Sequence, residues 1–284
     1  MSEPFVSTAW LEEHLSDPDL VVVDGSWYLP TLNRDPQAEY LAGHIPGAVR
    51  FDIDKVKDQA SSLPHMLPSP EDFAAAVGVL GIGNTTQVVI YDGAGLRSAP
   101  RVRWTFRVFG VRNVAILEGG FPAWKAEGRP IETGEERPRK PQVFTPHFVK
   151  SAVADSGRIL ELLKSGEAQI VDARPADRFR GEGTEPRLGL RKGHMPGSLN
   201  VPFEEVLDGG RLKDAASLRQ AFQHAGVDLD RPIVTSCGSG VTAAILALAL
   251  ETLGRPAQSL YDGSWSEWGA REDLPIETGP GRKA

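Results

Sequence analysis

The chain has 284 residues, 40% of them hydrophobic, a formal net charge of −7 and a single cysteine. That length suits two cores of ordinary size, since domains mostly run about 100–150 residues, while the acidic balance and the lack of a long basic run exclude a nucleic-acid groove. No stretch approaches the roughly 20 apolar residues of a membrane span, the short acidic N-terminus with its proline is unlike a secretory signal, and one cysteine closes no intrachain disulfide; a cytoplasmic protein is the expectation.

In chain order, β-branched runs and helical periodicity predict a strand at 20–24, a helix at 70–80, a strand at 87–92, a helix at 99–109 and a strand at 115–117. A second set follows: helix 157–163, strand 169–172, helix 217–225, strand 233–236, helix 242–253 and strand 259–261. Alternation of this kind predicts an α/β fold with a mostly parallel sheet in each half. The two sets are related in sequence. Val22-Val23-Asp24 recurs as Ile170-Val171-Asp172, Gly43-His44-Ile45-Pro46-Gly47 as Gly193-His194-Met195-Pro196-Gly197, and Pro130-Ile131-Glu132-Thr133-Gly134 as Pro275-Ile276-Glu277-Thr278-Gly279, at offsets between 145 and 150. A period this long means duplicated domains and not a solenoid. The charged, proline-containing segment 135–145 lacks apolar periodicity and reads as the linker, giving domains 1–134 and 146–284.

Between the strand at 233–236 and the apolar helix behind it lies Cys237-Gly238-Ser239-Gly240-Val241-Thr242. In parallel sheets ligands sit beyond the carboxyl ends of strands, where loops turn into helices, and two glycines let this loop curl tightly. A curled loop at a helix N-terminus aims backbone N–H groups and the helix dipole at one point. An anion at the Cys237 sulfur is favoured, first a nucleophilic thiolate and then a persulfide. The alternative is a buried structural cysteine. A cysteine phosphatase needs arginine closing the loop as C-x5-R, because a phosphoryl dianion requires a bidentate cation, and that position is Ala243. The loop contains no lysine or arginine, which disfavours a doubly charged donor. In the first half the matching loop begins with Asp92, so that half carries no sulfur; its expected role is the other wall of a cleft. His44, His194, Asp24 and Asp172 recur in both halves, including the one without the thiol, and are therefore assigned to the scaffold. There is no metal signature, and the Gly81-Ile82-Gly83-Asn84 turn precedes a strand instead of opening a helix, so it is not a dinucleotide site. No metal and no cofactor are expected.

Taken together, the Cys237–Thr242 loop, the Gly43–Ala48 block, Phe51-Asp52-Ile53-Asp54, Pro64-His65-Met66-Leu67-Pro68, Asp172-Ala173-Arg174 and the segment from Tyr261 to Gly269 resemble the tandem-domain sulfurtransferases of the rhodanese superfamily. The loop resembles the mercaptopyruvate type, since the thiosulfate type has basic residues at the positions of Gly238 and Ser239. The resemblance covers nearly the whole chain. It implies two tandem rhodanese-like domains, each a mostly parallel five-stranded sheet flanked by helices, the second catalytic and the first inactive. It implies a reaction in which Cys237 takes sulfur from 3-mercaptopyruvate, releases pyruvate and passes the sulfur to thioredoxin, a small thiol or cyanide. By position it assigns substrate binding to Arg178 and Arg187 with Gly238, Gly240, Val241 and Thr242, and a proton relay to Ser239, His65 and Asp54; for His65 the alternative is a surface loop. Arg174 is expected to pair with a carboxylate of its own domain, Trp265 and Trp268 to pack in the core, and Arg97 to be solvated or to face the cleft. A monomer is the default for a chain that supplies both domains. Two other functions stay open: thiosulfate:cyanide sulfur transfer, and a non-catalytic protein that binds a partner or senses oxidants through Cys237.

Overall fold

The computed structural model describes residues 3–281. The chain forms two compact units: residues up to Gln59 with Leu67–Val149 and Gly209–Arg211 make the first, and Ala60–Met66, Lys150–Asp208 and the residues from Leu212 onward make the second. Two short stretches, Ala60–Met66 and Gly209–Arg211, thus belong to a unit other than that of their chain neighbours.

The first unit runs β1 (Phe5–Val6), α1 (Thr8–His14), β2 (Leu20–Asp24), α2 (Pro36–Ala42), β3 (Val49–Arg50), α3 (Pro70–Val79), β4 (Gln87–Tyr91), α4 (Ala99–Val108), β5 (Val114–Leu117) and α5 (Gly120–Ala126). Its five strands lie in the order β1-β5-β4-β2-β3, with every pairing parallel. Helices start where sequence chemistry starts them: Asp35 and Ser69 accept N–H groups of the first turns of α2 and α3, each followed by proline. β2 and β4 are apolar runs because both sheet faces are covered.

The same plan returns in β6 (Val153–Ala154), α6 (Ser156–Ser165), β7 (Gln169–Asp172), α7 (Ala176–Arg180), β8 (Leu199–Asn200), a two-stranded sheet of β9 (Leu207–Asp208) and β10 (Arg211–Leu212), then α8 (Ala215–His224), β11 (Ile233–Ser236), α9 (Ala243–Thr252), β12 (Ser259–Tyr261) and α10 (Ser264–Trp268). The order β6-β12-β11-β7-β8 repeats that of the first sheet, again wholly parallel. Asp155 and Asp214 cap α6 and α8. α9, Ala-Ala-Ile-Leu-Ala-Leu-Ala-Leu-Glu-Thr, combines strong helix formers with burial on nearly every side. In this unit Trp265 and Trp268 are fully buried with Tyr261, Ile159 and Met195, so both tryptophans belong to the core. Among the described residues no helix is long and apolar enough to cross a membrane.

The repeated G-H-x-P-G turns hold each unit's chain end. His44 and Glu132 form one antiparallel bridge, and His194 and Glu277 the other. His44 Nδ1 donates to the Tyr40 carbonyl at 2.8 Å with its ring stacked 4.0 Å from Tyr40, while His194 Nδ1 donates to the Phe179 carbonyl at 2.8 Å with its ring 3.8 Å from Phe179. Burial pushes the His194 imidazole below its ordinary range, which favours the neutral ring. Both histidines are scaffold.

The two turn glycines differ in what they tolerate. Gly193 has φ 121°, and a Cβ there would run into the Glu277 carbonyl oxygen, whereas Gly43 is extended at φ 173° and its Cβ would meet the side chains of Ile131, 3.2 Å away, and Phe121, 3.8 Å away. Gly193→Ala is therefore expected to destabilise the protein by about 3 kcal/mol or more and Gly43→Ala by about 1 kcal/mol. Urea denaturation of the two variants checks this; equal losses would contradict it.

Candidate active site

β11 is the middle strand of its sheet, and Cys237 is the first residue past its end. The loop is shaped from outside itself. The Cys237 carbonyl accepts the Trp265 N–H at 2.9 Å, and the Gly238 carbonyl accepts the Ser266 N–H at 2.8 Å and the Ser266 hydroxyl at 2.7 Å. In a planar trans peptide the N–H points opposite to the carbonyl. Turning these two carbonyls toward α10 therefore turns the N–H groups of Gly238 and Ser239 away from it. The Cys237 N–H donates to Ser264 Oγ at 3.2 Å, and that hydroxyl donates to the Tyr261 carbonyl at 2.7 Å. Gly240 completes the curl with φ 76°, and α9 then begins at Ala243 with no side chain capping it. The Ala244 N–H donates to the Val241 carbonyl at 3.3 Å and that of Ile245 to the Thr242 carbonyl at 3.1 Å, which leaves the N–H groups of Thr242 and Ala243 at this helix start for an anion.

Two guanidiniums reach the loop from the segment after β7. Arg178, on α7, places Nη2 3.3 Å and Nη1 3.8 Å from where a Gly238 Cβ would stand, and Arg187 Nη1 lies 4.0 Å from the same point. Arg187 Nη2 also donates to Ser239 Oγ at 3.3 Å, which leaves the serine's own proton to donate elsewhere. The loop is uncharged in sequence, yet cations flank it in space. Arg178 Nη2 donates to Glu185 Oε2 at 2.6 Å, and the other Glu185 oxygen accepts from Arg174 Nη1 at 3.1 Å. Arg174 is fully buried, pairs with Asp172 at 2.8 Å and lies 4.1 Å from the Trp265 ring centroid. It pairs with carboxylates of its own unit, as expected from the sequence.

The first unit contains the same loop with its anion built in. Asp92 follows β4, the middle strand of that sheet, and its carbonyl accepts the Phe121 N–H at 3.0 Å as Cys237 accepts that of Trp265. Asp92 Oδ2 accepts the N–H groups of Arg97, Ser98 and Ala99 at 2.7, 2.9 and 2.8 Å, and Oδ1 accepts that of Ala94 at 2.9 Å. At the constant offset of 145 residues, the N–H groups that hold Oδ2 correspond to Thr242, Ala243 and Ala244. Half-buried Arg97 contributes its backbone to this cradle.

The sequence-predicted residues Cys237, Gly238, Ser239, Gly240, Val241, Thr242, Arg178 and Arg187 all lie in the second unit. His65 belongs to the same unit through the stretch Ala60–Met66; it is buried, with φ 59°, and is not a surface histidine. Asp54 lies in the first unit, where its Oδ2 accepts from Trp27 Nε1 at 2.8 Å. Three residues were missed as site residues. Ser264 and Ser266, which hold the loop, lie in a segment read only as a motif, and Glu185 sits in the polar Gly-Glu-Gly-Thr-Glu-Pro stretch that reads as solvated loop. Among the described residues no group of three or more His, Cys, Asp or Glu side chains could hold a metal.

The Rhodanese-like domain family matches twice, over residues 7–127 and 156–271. The chain belongs to the rhodanese family. This rhodanese is 47% identical over 274 residues to the 3-mercaptopyruvate sulfurtransferase of Escherichia coli K12, covering 96% of this chain and 97% of that protein. It is 43% identical over 286 residues to the 3-mercaptopyruvate sulfurtransferase of Homo sapiens, covering 98% and 96% of the two chains. The crystal structure of the Escherichia coli 3-mercaptopyruvate sulfotransferase SseA superposes with a TM-score of 0.85 at 44% identity, covering 92% of this chain and 98% of that one. The rhodanese described here is a sulfurtransferase with two rhodanese domains, each built on a five-stranded parallel sheet.

Proposed function

We propose that this sulfurtransferase takes sulfur from 3-mercaptopyruvate, carries it as a Cys237 persulfide and passes it to a thiol such as thioredoxin, to a small thiol or to cyanide. Within this reading residues 146–284 form the catalytic domain, 1–134 the inactive repeat and 135–145 the linker, and the chain acts as a cytoplasmic monomer. The observation that carries the proposal is the pair of loops: the Asp92 carboxylate accepts four backbone N–H groups in one repeat, and Cys237 stands at the matching position in the other. A cradle that stabilises a carboxylate suits a thiolate and a persulfide anion.

In the first half-reaction the Cys237 thiolate attacks the donor's sulfur. An S–S bond forms, the donor's C–S bond breaks, and its electron pair passes to carbon as the pyruvate enolate. The proton of the donor thiol, delivered through the site, completes pyruvate and leaves the cysteine as a persulfide anion. Arg178 and Arg187 hold the donor's carboxylate and keto oxygen by charge-assisted hydrogen bonds, with Gly238, Gly240, Val241 and Thr242 forming the loop wall. Proton movement is assigned to Ser239, His65 and Asp54; for Ser239 the support is the Arg187 contact that occupies its oxygen and frees its proton. In the second half-reaction the acceptor attacks the outer sulfur and the thiolate returns.

Thiosulfate is the second donor to weigh, because two guanidiniums flank the loop. Steady-state rates with both donors and cyanide as acceptor separate the readings. The expected result is a kcat/KM for 3-mercaptopyruvate at least about tenfold above that for thiosulfate, the factor of one differential ionic contact. A larger value for thiosulfate would reverse the assignment.

A further inference from the structure

We propose that Glu185 sets the charge preference of the sulfur-donor site, tuning it to a singly charged donor; this rests on the reading of Cys237 and the two arginines as the donor site. The carboxyl side chain of Glu185 is only 5% exposed and is shared by Arg178 and Arg174. Its contact with Arg178 is made to Nη2, the same nitrogen that lies nearest Gly238. The negative charge therefore sits one guanidinium away from the sulfur loop. Glu185 thereby offsets part of the positive charge that Arg174 and Arg178 bring beside the loop. A dianion feels twice the repulsion from the Glu185 carboxylate that a monoanion does. Among the described residues Glu185 bonds Arg174 and Arg178 and acts on the loop through them, so it is a positioning residue that also fixes the field. Arg178 Nε is buried without a hydrogen-bond partner among the described residues. The Arg178 guanidinium thus spends Nη2 on Glu185 and keeps Nε uncommitted.

The test is the ratio of kcat/KM for thiosulfate to that for 3-mercaptopyruvate in the wild type, Glu185→Gln and Glu185→Asp. Glutamine keeps the shape and removes the charge; aspartate keeps the charge. Glu185→Gln is expected to raise the ratio about tenfold, the size of one unit charge acting across a few ångströms in a partly solvated site, while Glu185→Asp stays within about twofold of wild type, as a conserved charge requires. Equal losses with both donors in Glu185→Gln, or a shift in Glu185→Asp as large as that in Glu185→Gln, would overturn the proposal. Should Glu185→Gln not fold, the Glu185→Asp ratio alone decides, a tenfold shift there contradicting a charge-based role. A readout without turnover separates this from the donor assignment: protection of Cys237 from iodoacetamide by sulfate and by pyruvate, followed by mass. Glu185→Gln is expected to shift protection toward sulfate by about the same factor. If the wild type accepts sulfur from neither donor, the reading of the reaction fails and the protection ratio judges Glu185; an unchanged protection ratio would overturn its role whatever the donors do.

Discussion

Arg178→Ala and Arg187→Ala each lower kcat/KM for 3-mercaptopyruvate by about 100-fold, the loss of a charge-assisted contact to the donor's carboxylate end. Discharge of a preformed persulfide by cyanide changes by less than about threefold in the same variants, because cyanide has no carboxylate to hold. The split follows from geometry: both guanidiniums converge beside Gly238, and Arg187 also reaches Ser239. Single-turnover measurement of the two half-reactions checks it. Equal losses in both would mean that the arginines support the fold of the loop and not the donor.

Asp92→Ala destabilises the first unit by about 3–5 kcal/mol. The carboxylate is completely buried and is held by the N–H groups of Ala94, Arg97, Ser98 and Ala99. Alanine leaves those donors facing a space with no acceptor, and each buried unpaired group costs about 1–3 kcal/mol, partly recovered by relaxation and water. Asp92→Asn retains one acceptor oxygen and is expected to cost roughly half as much. Urea denaturation followed by tryptophan fluorescence reads both, with Trp104 and Trp124 reporting from the first unit. A loss below about 1 kcal/mol for the alanine variant would show that the cradle does not need an anion, and would remove the support that the Asp92 loop lends to the Cys237 loop.

The central strands were legible because they are buried runs bounded by polar residues: β2, β7, β11 and β12 match the expected limits, and β4 ends one residue earlier than expected, at Tyr91. The edge strands β1, β3, β6 and β8 have two residues each and no periodicity of their own; only their pairing to a neighbour makes them strands. α7 was missed for a similar reason. Its five residues, Ala-Asp-Arg-Phe-Arg, bury only Phe179, too little for a helical pattern, yet they deliver Arg178 to the loop. The repeat itself is readable, and it aligns the thiol with Asp92 in sequence. What Asp92 does with its position was not readable, because four backbone donors leave no mark on side-chain chemistry. Glu185 shows the same limit. A glutamate among glycines and other charges reads as solvated, and only the arrival of Arg174 and Arg178 from α7 and the turn before it makes its burial affordable. By sequence alone, the uncharged loop argues against a doubly charged donor. In space the charge comes from outside the loop, so selectivity depends on how much of it the neighbouring carboxylates cancel.

Intact-mass measurement after treatment with 3-mercaptopyruvate, with excess donor removed and no acceptor present, addresses the central claim most directly. Wild-type protein is expected to gain one sulfur, about 32 Da, which cyanide then removes, while Cys237→Ser gains nothing. A wild-type mass that stays unchanged, or a Cys237→Ser variant that still takes up sulfur, would contradict the assignment of Cys237 as the sulfur carrier.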